Sequence, residues 1–309
     1  MKLSKKKWIL LSVAALLVLV LGTFAWAFFS LPQVEQLKSC YTTHLYKVRV
    51  CPGDKNYVKL SQISNITKRA ILVSEDGTFY SHEGFDWFEL KQSFIKNLKS
   101  MEYARGGSTI TQQLAKNAFL TSEKSLTRKL LEAYLAKKLE EHFTKDQILE
   151  KYLNMVEFGP KLFGIKPASL KYFGKPPSQI HLLEAVWLAH LLPNPKVYSR
   201  GMTKGHLSPY SRERVQILLQ RLLKYGDITR AQFQFAKSQI DNFPWTFLTQ
   251  EDFDNAGFDQ QDQQRALEEL MNSEDWINEE HPSHEGEDSE DFNGRSDEEL
   301  LDRPFGDPE

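Results

Sequence analysis

Hydrophobic residues follow a helical period from Lys68 to about Tyr225. Leucine and alanine recur at intervals of three and four, clusters of Gly and Pro separate the segments, and strict alternation is rare. This pattern predicts a mainly α-helical body, which we place at residues 68–245. Within it, SQIHLLEAVWLAHLL (178–192) is almost wholly apolar, which indicates a core helix with His190 buried rather than ligating.

An uninterrupted apolar run lies near the N-terminus, at residues 8–29. A helix of this length spans roughly 33 Å, enough for a hydrocarbon core of about 30 Å. The positive-inside rule therefore predicts a cytoplasmic tail (1–7), one transmembrane helix (8–29) and an outward-facing remainder. A cleaved signal peptide is the alternative, because AWA at 25–27 resembles a cleavage site. The lysines that set this orientation are Lys2, Lys5, Lys6 and Lys7.

Residues 30–67 form a juxtamembrane segment that contains both cysteines, Cys40 and Cys51. The alternating sequence between them predicts a short strand or hairpin arm. Disulfides persist outside the membrane, so we predict a Cys40–Cys51 disulfide, with two unpaired thiols as the alternative. Their spacing suits no common metal site.

Charge is distributed unevenly along the chain. Residues 251–309 contain 22 acidic residues and three arginines, a net charge of −19, whereas residues 1–250 carry +17. Since hydrophobic residues are sparse in the acidic part, we expect residues 246–309 to be a disordered acidic tail. The basic body indicates an anionic partner, which leaves nucleic acid, a phospholipid surface and a phosphorylated substrate open.

The segment RGGSTITQQLAKNAFL joins a glycine loop to a helix start. Gly106 and Gly107 provide the loop, and Ser108 is predicted to be the N-cap. A glycine turn that leads into a helix N-terminus, with a lysine two turns later, suits phosphate binding. A capped amphipathic helix with a polar surface is an equal alternative. On the predicted helix, the polar residues on or beside one face are Ser108, Gln112, Gln113, Lys116 and Asn117.

In the segment LTRKLLEAYLAKKLEEHF, two charged residues are predicted to lie on the same helical face as an apolar stripe. Arg128 and Glu132 lie within about 40° of Leu135 and Leu139 around a helix. Glu132 is therefore expected to face a cleft, where Arg128 and Lys129 can pair with it. The alternative is an ordinary intrahelical pair worth a few tenths of a kcal/mol.

Four segments in this order resemble the peptidoglycan glycosyltransferases, glycosyltransferase family 51, in the monofunctional form. They are SEDGTFYSHEGFDW, GGSTITQQLAKN, RKLLEAYLAKKLE and KDQILEKYLNMVEFG. The resemblance covers residues 68–230. It implies a lysozyme-like, mainly α-helical glycosyltransferase domain on the outer, periplasmic face of the cytoplasmic (inner) membrane of a bacterium.

The implied reaction polymerises lipid II into glycan strands. The 4-hydroxyl of an acceptor sugar attacks C1 of the donor with inversion and releases undecaprenyl pyrophosphate. The implied partners are lipid II, the growing glycan strand and membrane lipids, with penicillin-binding transpeptidases as candidates and no nucleic acid. No cofactor or metal is expected to be required, although a divalent cation such as Mg²⁺ can assist.

The same resemblance suggests a role for each motif residue. Glu75 matches the general base and Glu132 the second catalytic acid. The remaining motif residues fall into a substrate-binding and a structural group. Substrate binding is implied for Ser108, Thr109, Gln112, Gln113, Lys116, Asn117, Lys124, Arg128, Lys129 and Arg214. A structural role is implied for Asp76, Phe79, His82, Gly84, Gly106 and Gly107.

Three further features bear on this assignment. Lys124 stands where relatives often carry an arginine, which removes a bidentate donor. Arg214 belongs to RVQILLQRL, the weakest match. The aromatic and lysine-bearing segment Phe85–Tyr103 is expected either to enter the headgroup layer or to form a solvated amphipathic helix.

Other functions remain as alternatives. A lysozyme-like hydrolase would not need the cations at Lys116, Arg128 and Lys129. A non-catalytic cell-wall scaffold would not need Glu75. A bifunctional transpeptidase is excluded, because the S-x-x-K match at 93–96 is followed by no K-T-G and no second domain.

Overall fold

The computed structural model of the protein describes residues 32–86, 108–123 and 125–256. Helices make up most of this part, which confirms the predicted mainly α-helical class. Its α-helices are α1 Asn65–Glu75, α2 Ile110–Phe119, α3 Leu126–His142, α4 Lys145–Leu153, α5 Ile165–Phe173, α6 Leu182–Leu191, α7 Pro195–Tyr198, α8 Arg200–Lys204, α9 Pro209–Lys224, α10 Arg230–Gln239 and α11 Gln250–Asp254. Short 3₁₀ helices occur at Val34–Lys38, Leu60–Gln62, Phe79–Ser81, Pro177–Gln179 and Ile240–Asn242.

Two short antiparallel hairpins interrupt the helices. In the first, β1 (Tyr41–Thr42) pairs with β2 (Arg49–Val50), at the place predicted for a hairpin arm. A Cys40–Cys51 disulfide joins the residues that flank these strands. In the second, β3 (Glu157–Gly159) pairs with β4 (Leu162–Phe163), inside a Gly/Pro-containing stretch where the helical pattern gave no strand signal.

Several predicted features lie outside the described residues. They are the apolar run 8–29, the glycines Gly106 and Gly107, Lys124, residues 87–103 of the aromatic segment and the tail from 257 onward. Among the residues that are described, no helix has both the length and the apolar character needed to cross a membrane.

Helix α6 lies at the centre of the protein, and all ten of its residues are buried. Helices α1 and α9 pack against it. Such a helix can be stable only inside a core, because it exposes no polar face. The predicted core helix is therefore confirmed, and His190 within it is buried as expected.

Helix α4 holds the segment 57–60, which precedes α1, against the helical body through hydrogen bonds. The Glu150 carboxylate accepts hydrogen bonds from the Tyr57 hydroxyl at 2.6 Å and from the Leu60 amide at 2.8 Å. Asn154, the C-cap of α4, pairs its side chain with both the N–H and the C=O of Val58, each at 2.8 Å. These contacts give the polar side chains of ILEKYLN, Glu150 and Asn154, partners within the fold.

Helix α2 begins one residue later than predicted. Thr109, and not Ser108, is the N-cap: its hydroxyl accepts from the Gln112 amide, and the Gln112 side chain accepts from the Thr109 amide at 3.0 Å. This reciprocal capping box satisfies two N–H groups that the helix leaves unpaired. Ser108 therefore precedes the helix, so the prediction that it belongs to the polar face of this helix is wrong.

Candidate active site

Glu75 is the last residue of α1, at the point where the helix opens into a loop. One carboxylate oxygen accepts a hydrogen bond from Gln113 Nε2 at 2.9 Å, and the other accepts from the Ser74 hydroxyl at 3.4 Å. Burial raises the pKa of Glu75 above its ordinary value, and the charge of Asp76 adds to the rise. The two hydrogen bonds and the charge of Arg214 oppose it. Glu75 is thus a partly buried carboxylate with a hydrogen-bond donor on each oxygen.

Asp76, the neighbouring acid, is fully engaged in holding the loop. Its Oδ2 accepts from the Ile110 amide at the start of α2 at 2.9 Å, and its Oδ1 contacts His82 Nε2 at 2.9 Å. The Gly84 amide donates to His82 Nδ1 at 3.1 Å, so the ring proton lies on Nε2 and points at Asp76. The Gly84 carbonyl in turn accepts from the Thr109 hydroxyl at 2.8 Å. Asp76 and His82 therefore connect α1 to α2 and are not free to react.

Phe79 and Gly84 complete this loop. Phe79 is 1% exposed, and the Lys145 ammonium lies 4.5 Å from its ring centroid. Gly84 has φ +85, and a Cβ there would meet Glu140 Cγ at 3.3 Å, so the position suits glycine alone. The structural role predicted for Phe79 and Gly84 remains a prediction.

The polar residues of α2 divide into two groups. Gln112 and Asn117 are buried, at 2% and 6% exposure, and Gln112 serves the cap. Gln113 reaches Glu75, and Lys116 follows one helical turn later on the same side. Gln113 and Lys116 therefore lie on the side of α2 that faces the Glu75 carboxylate. Gln112 instead caps the N-terminus of α2.

A cation cluster lies on the first turns of α3. Glu132, 2% exposed, accepts from Arg128 Nη1 at 2.9 Å and from Lys129 Nζ. Lys129 also donates to the Ser108 hydroxyl at 3.1 Å, which connects α3 to the residues just before α2. With two cations around one carboxylate, the cluster keeps an excess of positive charge.

Lys116 connects this cluster to Glu75. Burial lowers the pKa of Lys116, and the charges of Arg128 and Lys129 lower it further. The charges of Glu132 and Glu75 oppose this. The charges of all four residues thus act on the Lys116 ammonium, which lies on the same helix as Gln113, the hydrogen-bond donor to Glu75.

Arg214 belongs to α9 and contributes a further positive charge. Its charge lowers the pKa of Glu75 and also that of His190. His190 stacks on Tyr198 with ring centroids 4.6 Å apart, and its Nε2 contacts the Ser211 hydroxyl at 3.0 Å. The weakest motif of the sequence thus brings a cation to the same carboxylate.

Nothing in the described ranges forms a metal centre. No group of three or more His, Cys, Asp or Glu side chains there could hold a metal ion.

A family model described as transglycosylase matches residues 44–223, more than half of the chain. This chain belongs to the transglycosylase family. The resemblance found in the motifs is thereby confirmed, and the protein is an enzyme of this family. The match begins before residue 68 and includes the segment that α4 binds at Val58.

Relatives of this transglycosylase include proteins named biosynthetic peptidoglycan transglycosylase. The protein from Nitrosomonas eutropha is 44% identical over 166 residues, which are 54% of this chain and 66% of that relative. The protein from Janthinobacterium sp. is 41% identical over 167 residues, 54% and 70% of the two chains. The protein from Chromobacterium violaceum is 41% identical over 172 residues, 56% and 73% of the two chains.

Sequence reasoning missed Tyr152 at this site. It lies in α4, is fully buried, and its hydroxyl donates to Gln113 Oε1 at 3.1 Å. The motif KDQILEKYLNMVEFG contains Tyr152, but no role was predicted for this residue. A buried tyrosine generally has a partner for its hydroxyl, but periodicity cannot show which one.

Proposed function

We propose that this transglycosylase is a peptidoglycan glycosyltransferase that polymerises lipid II. The acceptor 4-hydroxyl attacks C1 of the donor sugar with inversion, and undecaprenyl pyrophosphate leaves. The observation that carries the proposal is that helix α2 bears both Gln113, which donates to the Glu75 carboxylate, and Lys116, on which the charges of Glu75, Arg128 and Lys129 all act.

Glu75 suits the role of general base. A sugar hydroxyl is a weak nucleophile, and a positioned base contributes about 10²–10⁴-fold to its reaction. Burial raises the pKa of Glu75, which makes the carboxylate a stronger base than an exposed glutamate. Gln113 fixes one of its oxygens, and Asp76 is held aside by His82 and Ile110.

The cation cluster suits the donor. A diphosphate leaving group develops negative charge in the transition state, and pre-arranged cations stabilise that charge without protonating it. Glu132 orients Arg128 and Lys129 through ion pairs. The pKa of Lys116 is affected by the charges of this cluster and also by that of Glu75. Glu132 then acts by positioning cations, because both of its oxygens are already paired.

A hydrolase is less well supported by this geometry. Hydrolysis of a glycosidic bond uses a second carboxyl group to protonate the leaving sugar or to activate water. Glu132 is instead paired with two cations.

We also propose the lysozyme-like fold, the location on the outer face of a bacterial cytoplasmic membrane, and lipid II, the glycan strand and membrane lipids as partners. Penicillin-binding transpeptidases are proposed as further partners.

Replacing the base tests the proposal. Purified protein supplied with lipid II is expected to form glycan strands and to release undecaprenyl pyrophosphate. Glu75→Gln should lower the rate by about 10²–10⁴-fold, because the amide cannot accept the proton. Strand formation is measured by gel electrophoresis of labelled lipid II.

The matched control is Glu83→Gln, the same change at an exposed glutamate in the same loop. It should keep the wild-type rate, and both variants should keep the wild-type circular dichroism spectrum. Glycan synthesis by Glu75→Gln at the wild-type rate would refute the base assignment. No strand formation by the wild-type protein would refute the polymerase function.

A further inference from the structure

We propose that Tyr152 is a positioning residue for Glu75 and acts through the side-chain amide of Gln113. The three groups form a chain across three helices: Tyr152 on α4, Gln113 on α2 and Glu75 at the end of α1. The proposal rests on the proposed function, for which Glu75 is the base, and extends it to a residue that does not touch substrate.

The direction of each hydrogen bond determines the argument. The Tyr152 hydroxyl donates to Gln113 Oε1 at 3.1 Å, and Gln113 Nε2 donates to Glu75 Oε2 at 2.9 Å. A glutamine amide can turn over and exchange its oxygen and nitrogen positions. A turned amide would present its oxygen to the carboxylate, which then loses its donor.

Tyr152 selects the productive orientation of that amide. Burial, followed by the charges of Glu75 and Asp76, raises the pKa of Tyr152 well above its ordinary value. The phenol therefore keeps its proton and acts as a donor toward Gln113. Tyr152 is fully buried, so its hydroxyl is held at a fixed position against Gln113.

The orientation of Gln113 affects both the position and the charge of Glu75. The donated hydrogen bond favours the ionised carboxylate, so it opposes the rise in pKa that burial causes. The other charges that act on Glu75 are those of Asp76, Arg214 and Lys116. Within the described part of the chain, no hydrogen bond to Tyr152 holds any of these three residues. Removal of the Tyr152 hydroxyl should therefore change only the contact with Gln113.

The test is Tyr152→Phe in the full-length protein. The variant keeps the ring in the core and lets the Gln113 amide turn. The acid limb of the kcat profile should move to higher pH by about half a unit to one unit, the effect of loosening one hydrogen bond to a charged group. At neutral pH, kcat should fall about three- to tenfold with little change in KM.

Tyr172→Phe is the matched control. Its hydroxyl is also lost from an internal hydrogen bond, to the Phe158 carbonyl at 2.9 Å, but that bond does not lead to Glu75. It should leave the acid limb unchanged. In a Gln113→Met background, Tyr152→Phe should have no further effect on the acid limb, because the intermediary is gone. A shift of the same size in that background would show that Tyr152 acts by another route.

A second measurement does not depend on activity. The infrared carbonyl band of the protonated Glu75 carboxyl group, obtained by subtracting the Glu75→Gln spectrum, gives the titration of Glu75 directly. Its midpoint should rise in Tyr152→Phe and not in Tyr172→Phe. An unchanged midpoint in Tyr152→Phe overturns the proposal even if the wild-type protein polymerises lipid II. A raised midpoint in a protein that polymerises nothing would refute the proposed function and uphold the positioning role.

Discussion

At the scale of residues, adjacent acids differ because their partners differ. Asp76 receives one backbone amide and one imidazole, so its oxygens are used in joining α1 to α2. Glu75 receives an amide from Gln113 and a weaker bond from Ser74, and burial raises its pKa. Only Glu75 therefore remains available to accept a proton.

If the proposed function holds, Lys116 carries a charge that opposes stability and serves the reaction. Burial lowers the pKa of Lys116, which shows that its ammonium group is partly desolvated. Cations placed for a departing diphosphate commonly carry such a cost. Stability and activity are therefore expected to respond in opposite directions when this charge is removed.

Lys116→Met should lower kcat by about 10²-fold, the usual effect of removing one pre-arranged donor from a site of developing negative charge. The free energy of unfolding should stay the same or rise by at most about 1 kcal/mol, since the side chain remains partly exposed. Polymerisation assays and denaturant unfolding measure the two quantities. Lys137→Met, at an exposed position of α3, should change neither. A loss of stability that accounts for the lost activity would argue against this role.

At the scale of elements, the disulfide hairpin supports the end of α2. The last carbonyls of a helix have no partner within it. Here the His44 amide donates to the Ala118 carbonyl at 2.8 Å, and the Leu45 amide donates to that of Asn117 at 3.4 Å. Both donors lie between Cys40 and Cys51, so the disulfide constrains the segment that caps a helix of the site.

Reduction of the Cys40–Cys51 disulfide should lower the free energy of unfolding by about 2–3 kcal/mol, because the cysteines close a short loop. Denaturant unfolding with and without reductant measures the change. A Cys40→Ser/Cys51→Ser variant should match the reduced protein and should not respond to reductant. Equal unfolding midpoints for the oxidised and reduced wild-type protein would contradict this expectation.

At the scale of the whole molecule, His190 makes the stability of the core sensitive to pH. Burial, aided by the charge of Arg214, lowers its pKa from 6.5 to about 3. Between these values the unfolded chain binds a proton that the folded protein does not. The contribution to stability is therefore complete above pH 6.5 and is lost as the pH falls toward 3.

His190→Gln should flatten this dependence. Between pH 7 and pH 4.5 the wild-type protein should lose about 2–3 kcal/mol more of its unfolding free energy than the variant. Denaturant unfolding at several pH values gives the comparison. His206→Gln, at an exposed histidine, should follow the wild-type slope. Parallel slopes for wild type and His190→Gln would show that His190 is not held neutral by the fold.

Much of the fold and part of the site can be predicted from local sequence. The apolar character of 178–192 requires a buried helix whatever surrounds it, and α6 is that helix. Spacing on α3 puts Arg128 and Lys129 within reach of Glu132 through the geometry of a single helix. The motifs placed Glu75 at the site because a family resemblance, unlike periodicity, carries chemical information.

Other features depended on contacts between distant parts of the chain. The N-cap of α2 is Thr109 and not the predicted Ser108, and the Thr109 hydroxyl also donates to the Gly84 carbonyl. The chain from Tyr152 through Gln113 to Glu75 joins three helices that sequence spacing treats as independent. Local periodicity determines which face of a helix is buried, since that follows from the repeat of the helix itself. Which buried polar groups meet is decided only when the helices pack, because each must then find its partner on another element.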